Sequence, residues 1–125
     1  MTKQGLKFIS DKLTAANIPY AFMVWTKQLS YPYFVGEYIE SEPMYEYGES
    51  ESTFILTGTT NGSWLTLESI KAQIKELFGC EGLTHIFEDG TAIAVIYQSS
   101  KPIPTSTDDL KRMQINLKVK EWRVI

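Results

Sequence analysis

Two short segments carry apolar residues at helical spacing, and nearly everything between and after them reads as strand. In residues 3–16, Leu6, Ile9, Leu13 and Ala16 recur on one face, with Lys3, Lys7, Asp11 and Lys12 on the others. Thr2 stands at the N-cap position, Asn17 at the terminator position, and Pro19 blocks continuation. The second helix is expected over residues 67–78, with Leu67, Ile70, Ile74 and Leu77 as its stripe, Thr66 as N-cap and Gly79 closing it. Strands are expected over residues 20–26, 33–40, 53–57, 84–88, 91–98 and 114–124. The order is α-β-β-β-α-β-β-β. It lacks strict βαβ alternation, so it predicts an α+β domain: a mostly antiparallel or mixed sheet of about six strands with two main helices packed on one side.

Local signals refine this plan. The continuously apolar run at residues 20–26 predicts a buried strand. Residues 33–40 and 53–57 are expected to pair, which makes residues 41–50 the acidic loop of a long hairpin. Asp89-Gly90 is the strongest hairpin signal, with both turn positions expected at positive φ. Pro102 and Pro104 mark residues 99–107 as a loop; one helical turn is expected over residues 108–113. In the last strand Ile115, Leu117 and Val119 share one face, and Gln114, Asn116, Lys118, Lys120 and Trp122 the other.

The chain has 125 residues, the size of one domain spanning 1–125, long enough to bury a core without a staple. A net charge of −3 argues against general nucleic-acid binding. Cys80 is the only cysteine, so no internal disulfide is expected. Lys7, Asp11 and Lys12 interrupt any secretory apolar region, and no run approaches the length of a membrane span. A soluble cytoplasmic protein is the default expectation.

Charge is unevenly placed. No Lys or Arg occurs between Lys27 and Lys71, a stretch holding seven glutamates, whereas Lys111, Arg112, Lys118, Lys120 and Arg123 cluster near the end. Such polarity can draw copies together head to tail. Glu40, Glu42, Glu46 and Glu49, interleaved with Tyr45 and Tyr47, are candidates for an interface. So are Lys118, Lys120, Trp122 and Arg123. Evidence for chemistry is thin. His85 is the only histidine and has no partner at zinc spacing. Cys80 follows a helix C-terminus, where the dipole disfavours a thiolate. The glutamates match no calcium loop, and no nucleotide-binding or hydrolase motif occurs. No enzyme activity, cofactor or metal is expected.

A resemblance extends this reading. A short N-terminal helix leads into Ile18-Pro19-Tyr20 and an aromatic strand ending in Trp25. Tyr31-Pro32-Tyr33-Phe34-Val35 opens the next strand, a long acidic hairpin precedes the second helix, and Lys-Val-Lys-Glu-Trp lies near the end. This arrangement, spanning nearly the whole chain, resembles the tail terminator (tail-completion) proteins of long-tailed bacteriophages and prophages. The resemblance implies a structural virion protein of the tail or neck, assembled in the bacterial cytoplasm. Its members form a ring, usually a hexamer, that caps the tail tube and meets the head connector. The implied partners are itself, the tail-tube protein and the head–tail connector protein, with DNA only as passing cargo and no membrane. The alternatives are another head–tail connector or minor capsid protein, or a non-viral domain binding a small ligand in a pocket lined by tyrosines and tryptophans.

Overall fold

The computed structural model describes residues 1–42, 48–79, 81–106 and 109–123. Tyr45, Glu46, Tyr47, Cys80, Asp108 and Val124 lie outside the described residues. The elements are α1 (Lys3–Ala15), β1 (Tyr20–Phe22), β2 (Tyr33–Glu42), β3 (Glu49–Thr60), α2 (Trp64–Phe78), β4 (Leu83–Ile86), β5 (Ala92–Ile103) and β6 (Lys111–Trp122). This is the expected order. The six strands form one mixed, curled sheet in the order β1-β2-β3-β6-β5-β4, with both helices on one side. Only β1 and β2 run parallel; every other neighbouring pair is antiparallel.

The core lies between the sheet and the helices. Phe8, Ile9 and Leu13 of α1 and Leu67, Ile74 and Phe78 of α2 meet Phe34, Phe54, Leu56, Ile93, Val95, Met113, Ile115, Leu117 and Val119. The alternation in β6 therefore points as the sequence predicts. Aromatic rings on β2 and β3 lie over glycines. A Cβ at Gly58 would sit 2.4 Å from the Phe34 ring, and one at Gly36 would sit 2.6 Å from the Phe54 ring. Glycine lets these rings press flat against the sheet.

The helix ends follow their caps. Thr2 Oγ1 accepts the Gly5 N–H at 3.0 Å, and Asn17, at φ 60°, ends α1 by donating its N–H to Thr14 O. Gly79, at φ 69°, closes α2. The start of α2 differs from expectation. Ser63, not Thr66, is the N-cap, and its Oγ accepts the Leu65 N–H at 3.1 Å. The first turn places Trp64 and Leu65 outward, so apolar periodicity does not mark it.

Five expectations are corrected. The acidic loop expected over residues 41–50 is shorter, because β2 runs to Glu42 and β3, expected over 53–57, begins at Glu49. The run at 20–26 is a three-residue strand at the end of the sheet, because Met23 at φ 67° leaves extended geometry. Far from being buried, Phe22, Met23 and Val24 are 40%, 60% and 62% exposed. The β4–β5 turn has positive φ only at Gly90. Gly90 N–H bonds Phe87 O, and Phe87 N–H bonds Thr91 O, the pattern of a three-residue loop ending in a glycine bulge. Residues 99–103 continue β5 past a register shift between Tyr97 and Ser99. Pro102 is tolerated there because β4 pairs only with Ala92 to Val95, leaving that edge of β5 without a strand neighbour among the described residues. Finally, residues 111–113 begin β6 instead of forming a helical turn.

Candidate assembly surface

The side of the sheet away from the helices carries part of the set singled out for interfaces. Because strands alternate, β2 presents Val35, Glu37 and Ile39 there, β3 presents Glu51, Thr53 and Ile55, and β6 presents Gln114, Asn116, Lys118, Lys120 and Trp122. Curling leaves most of these half-buried, while Ile39 is 61% exposed. A polar chain crosses the centre of this face: Gln114 Nε2 donates to Asn116 Oδ1 at 3.0 Å, and Asn116 Nδ2 donates to Ser99 Oγ at 3.1 Å. At one corner Trp25 and Tyr31 pack against Tyr33, with ring centroids 5.2 and 5.7 Å apart.

The acidic and basic segments, read from sequence as poles of the molecule, lie side by side within one subunit. β3 pairs directly with β6, in the register Glu49↔Trp122 and Glu51↔Lys120. Lys118 Nζ sits 2.8 Å from Glu51 Oε1. Glu40 lies on the helix side, 2.6 Å from the amino group of Met1. That hydrogen bond and charge, with a smaller effect of Arg123, hold its carboxyl below the usual range. Arg123 is exposed and donates its N–H to Gly48 O at 3.0 Å. Glu42 stands in register with Glu51 across the β2–β3 ladder. Of the candidate set, Lys118, Lys120 and Trp122 share the helix-free face, while Glu40 does not. Complementary charge is thus partly satisfied inside the chain, and this reduces what remains to join neighbours.

Sequence reasoning missed two surfaces. One is the apolar knob of Phe22, Met23 and Val24 at the β1 end, read as core because its composition matches a buried strand. The other is a cleft of about 440 Å³ between α1 and the β4–β5 hairpin. Its floor is three rings: Phe8 stacks on His85 at 5.3 Å, and Phe87 meets His85 edge-on at 4.9 Å. Lys7, Asp11 and Lys12 rim it, and Lys12 Nζ lies 5.5 Å from the Phe8 ring centroid. No signal in the sequence joins Phe8 to His85, which are brought together only by the packing of α1 on the sheet. The cleft holds none of the tyrosines or tryptophans expected to line a ligand pocket.

Among the described residues no group of three or more His, Cys, Asp or Glu side chains is placed to hold a metal ion. No described helix is long and apolar enough to cross a membrane. No family model matches the chain, and no curated protein matches it.

Proposed function

We propose that this chain is a structural virion protein of the tail-terminator kind, forming a ring that caps the tail tube and joins it to the head connector. The observation that carries the reading is the two-sided sheet. Helices seal one side, while among the described residues no further element covers the other side, and β1 and β4 end the sheet. Exposed Met23, Val24, Ile39 and Ile86 lie on these uncovered parts, and apolar groups so placed favour contact with protein. The element order agrees with the resemblance described above. The ring, its partners and its place in the neck of the particle are inferred from that resemblance.

The test is to measure solution mass by light scattering, alone and with tail tubes assembled from the tail-tube protein, and to image the products by negative stain. A ring seated on one end of each tube, halting its growth, is the expected result. Binding to a portal or adaptor protein and not to tubes would move the protein to the connector. No assembly under either condition would overturn the structural reading.

A further inference from the structure

The two surfaces missed by sequence lie at opposite ends of one sheet. The knob flanks β1 and the aromatic cleft flanks β4, and these are the two terminal strands. The Phe22 ring of the knob and the cleft are on the helix side. Phe22 stacks on Tyr38 at 6.2 Å and stands in register with Gly36, whereas His85 stands in register with buried Ile93 and packs on Phe8 of α1. Through the chain of pairings, β1 and β4 also run in the same direction. A copy placed beside another without inverting its strands therefore brings the knob of the first to the cleft of the second, on the same side of a continued sheet. A two-fold axis would instead join like ends.

Charge agrees with this pairing. The rim of the cleft carries Lys7 and Lys12. The exposed carboxylates of β2 beside the knob are Glu37 and Glu40, and Glu40 is on the helix side. Lys7 pairs with Asp11 at 2.8 Å and Glu40 with the amino group of Met1 at 2.6 Å, so charge at this contact is secondary to its apolar surface.

The edges of the sheet favour a contact by side chains over simple strand addition. Where no described strand lies beside β5 it holds a bulge, Lys101 and Pro102, and the end strands β1 and β4 are only three and four residues long, all features that discourage strand addition. The apolar surface at the β4 end is side-chain surface, with Ile86 69% exposed.

The offset between the ends also suits closure. Phe22 is level with Ile115 of β6, while His85 is level with Glu121, further along the same strand. That stagger is about 20 Å along the strands, against about 29 Å across six strand spacings. An assembly axis inclined roughly 35° to the strands would bring the two ends level, close to the tilt of strands in closed barrels.

We infer that the Phe22–Met23–Val24 knob of one copy seats in the Phe8–His85–Phe87 cleft of the next, making a head-to-tail contact between copies of this chain. This deepens the assembly reading and rests on it. The occupant of the cleft is a second copy, held by apolar burial with Lys12 at its margin.

Two full-length variants in a Cys80→Ser background test this, one carrying Met23→Cys and the other His85→Cys, oxidised separately and mixed. Covalent dimers in the mixture alone are expected, and the double variant should give a ladder of higher species. Dimers in the Met23→Cys sample alone would point to a two-fold contact and overturn the proposal. Assembly by light scattering without cross-linking in the mixture would also overturn it, while leaving the assembly reading intact. Absence of assembly, with and without tubes, would overturn both. As a second arm, Met23→Asp should weaken self-association about tenfold or more, whereas Leu65→Asp, on the exposed first turn of α2, should leave it unchanged. Loss of self-association in Ile39→Asp with Met23→Asp unaffected would overturn the proposal and assign the contact to the helix-free face.

Discussion

The carboxylate of Glu121, near the end of β6, accepts the backbone N–H of Thr2 at 3.2 Å and also binds the Thr2 hydroxyl. Glu121 is 4% exposed. It lies on the helix side of the sheet beneath the N-terminus of α1, where the helix dipole favours an anion. The last strand thereby fixes the first helix through a charge-assisted contact across nearly the whole chain.

Removing that contact should be costly. Glu121→Ala removes the carboxylate acceptor of the Thr2 N–H and hydroxyl in a half-buried site, and should lower stability by about 1.5–3 kcal/mol. A conformational test accompanies it. Gly5→Ala would normally stabilise a helix by roughly 0.5–1 kcal/mol. Here the new Cβ would meet Glu121 Oε2 at 2.6 Å, so the substitution should destabilise instead. Urea melts of both variants check the magnitude and the sign.

The cap of α2 offers a sharper comparison. Ser63→Ala should cost about 1 kcal/mol, because the Leu65 N–H loses its acceptor. Thr66→Ala should cost much less, since Thr66 lies inside the first turn and donates its backbone N–H to Ser63 O. Equal losses in thermal melts would restore Thr66 as the functional cap.

These details show which parts of the structure were legible in the sequence. The alternation of Ile115, Leu117 and Val119 reports directly on burial, and Thr2 and Gly79 mark helix ends by local chemistry. Such signals need no knowledge of distant residues. The apolar run beginning at Tyr20 misleads because composition records that a residue is hydrophobic, not whether this chain or another covers it. Pro102 reads as a loop signal because its acceptability depends on β4 beginning only at Leu83, opposite Val95, a fact about a partner strand. The charge pattern misleads similarly. Glu51 and Lys118 are distant in sequence, and only the β3–β6 register shows that they pair. The cleft at His85 was hidden for the same reason, since its floor joins α1 to β4.

The pairing of Lys118 changes how charge reversal must be tested. Lys118→Glu would set a second carboxylate beside Glu51 and should destabilise the subunit whether or not it assembles. The coupling between the two side chains should be about 0.2–1 kcal/mol in a double-mutant cycle of Lys118→Ala and Glu51→Ala, shrinking as salt is raised. A coupling indistinguishable from zero at low salt would remove this pair as a feature of the face. Lys120→Glu is the cleaner probe of an intersubunit role for the basic strand, because Lys120 is not the residue bonded to Glu51 in this ion pair.

Tyr20 gives the fold a response to alkali. Its ring packs against Phe54 with centroids 6.3 Å apart, and burial pushes the phenol up from 10.0 to about 12. The folded chain therefore keeps this proton over a range in which the unfolded chain releases it. Stability contributed by the neutral phenol is fully present below pH 10 and declines as pH rises from about 10 to about 12. Tyr20→Phe should flatten this decline in denaturant melts. In the parent, ultraviolet titration should show one tyrosine ionising late, and that late step should vanish in the variant. If all tyrosines of the parent ionise together near pH 10, the phenol is solvated and β1 packs more loosely than its contact with Phe54 requires.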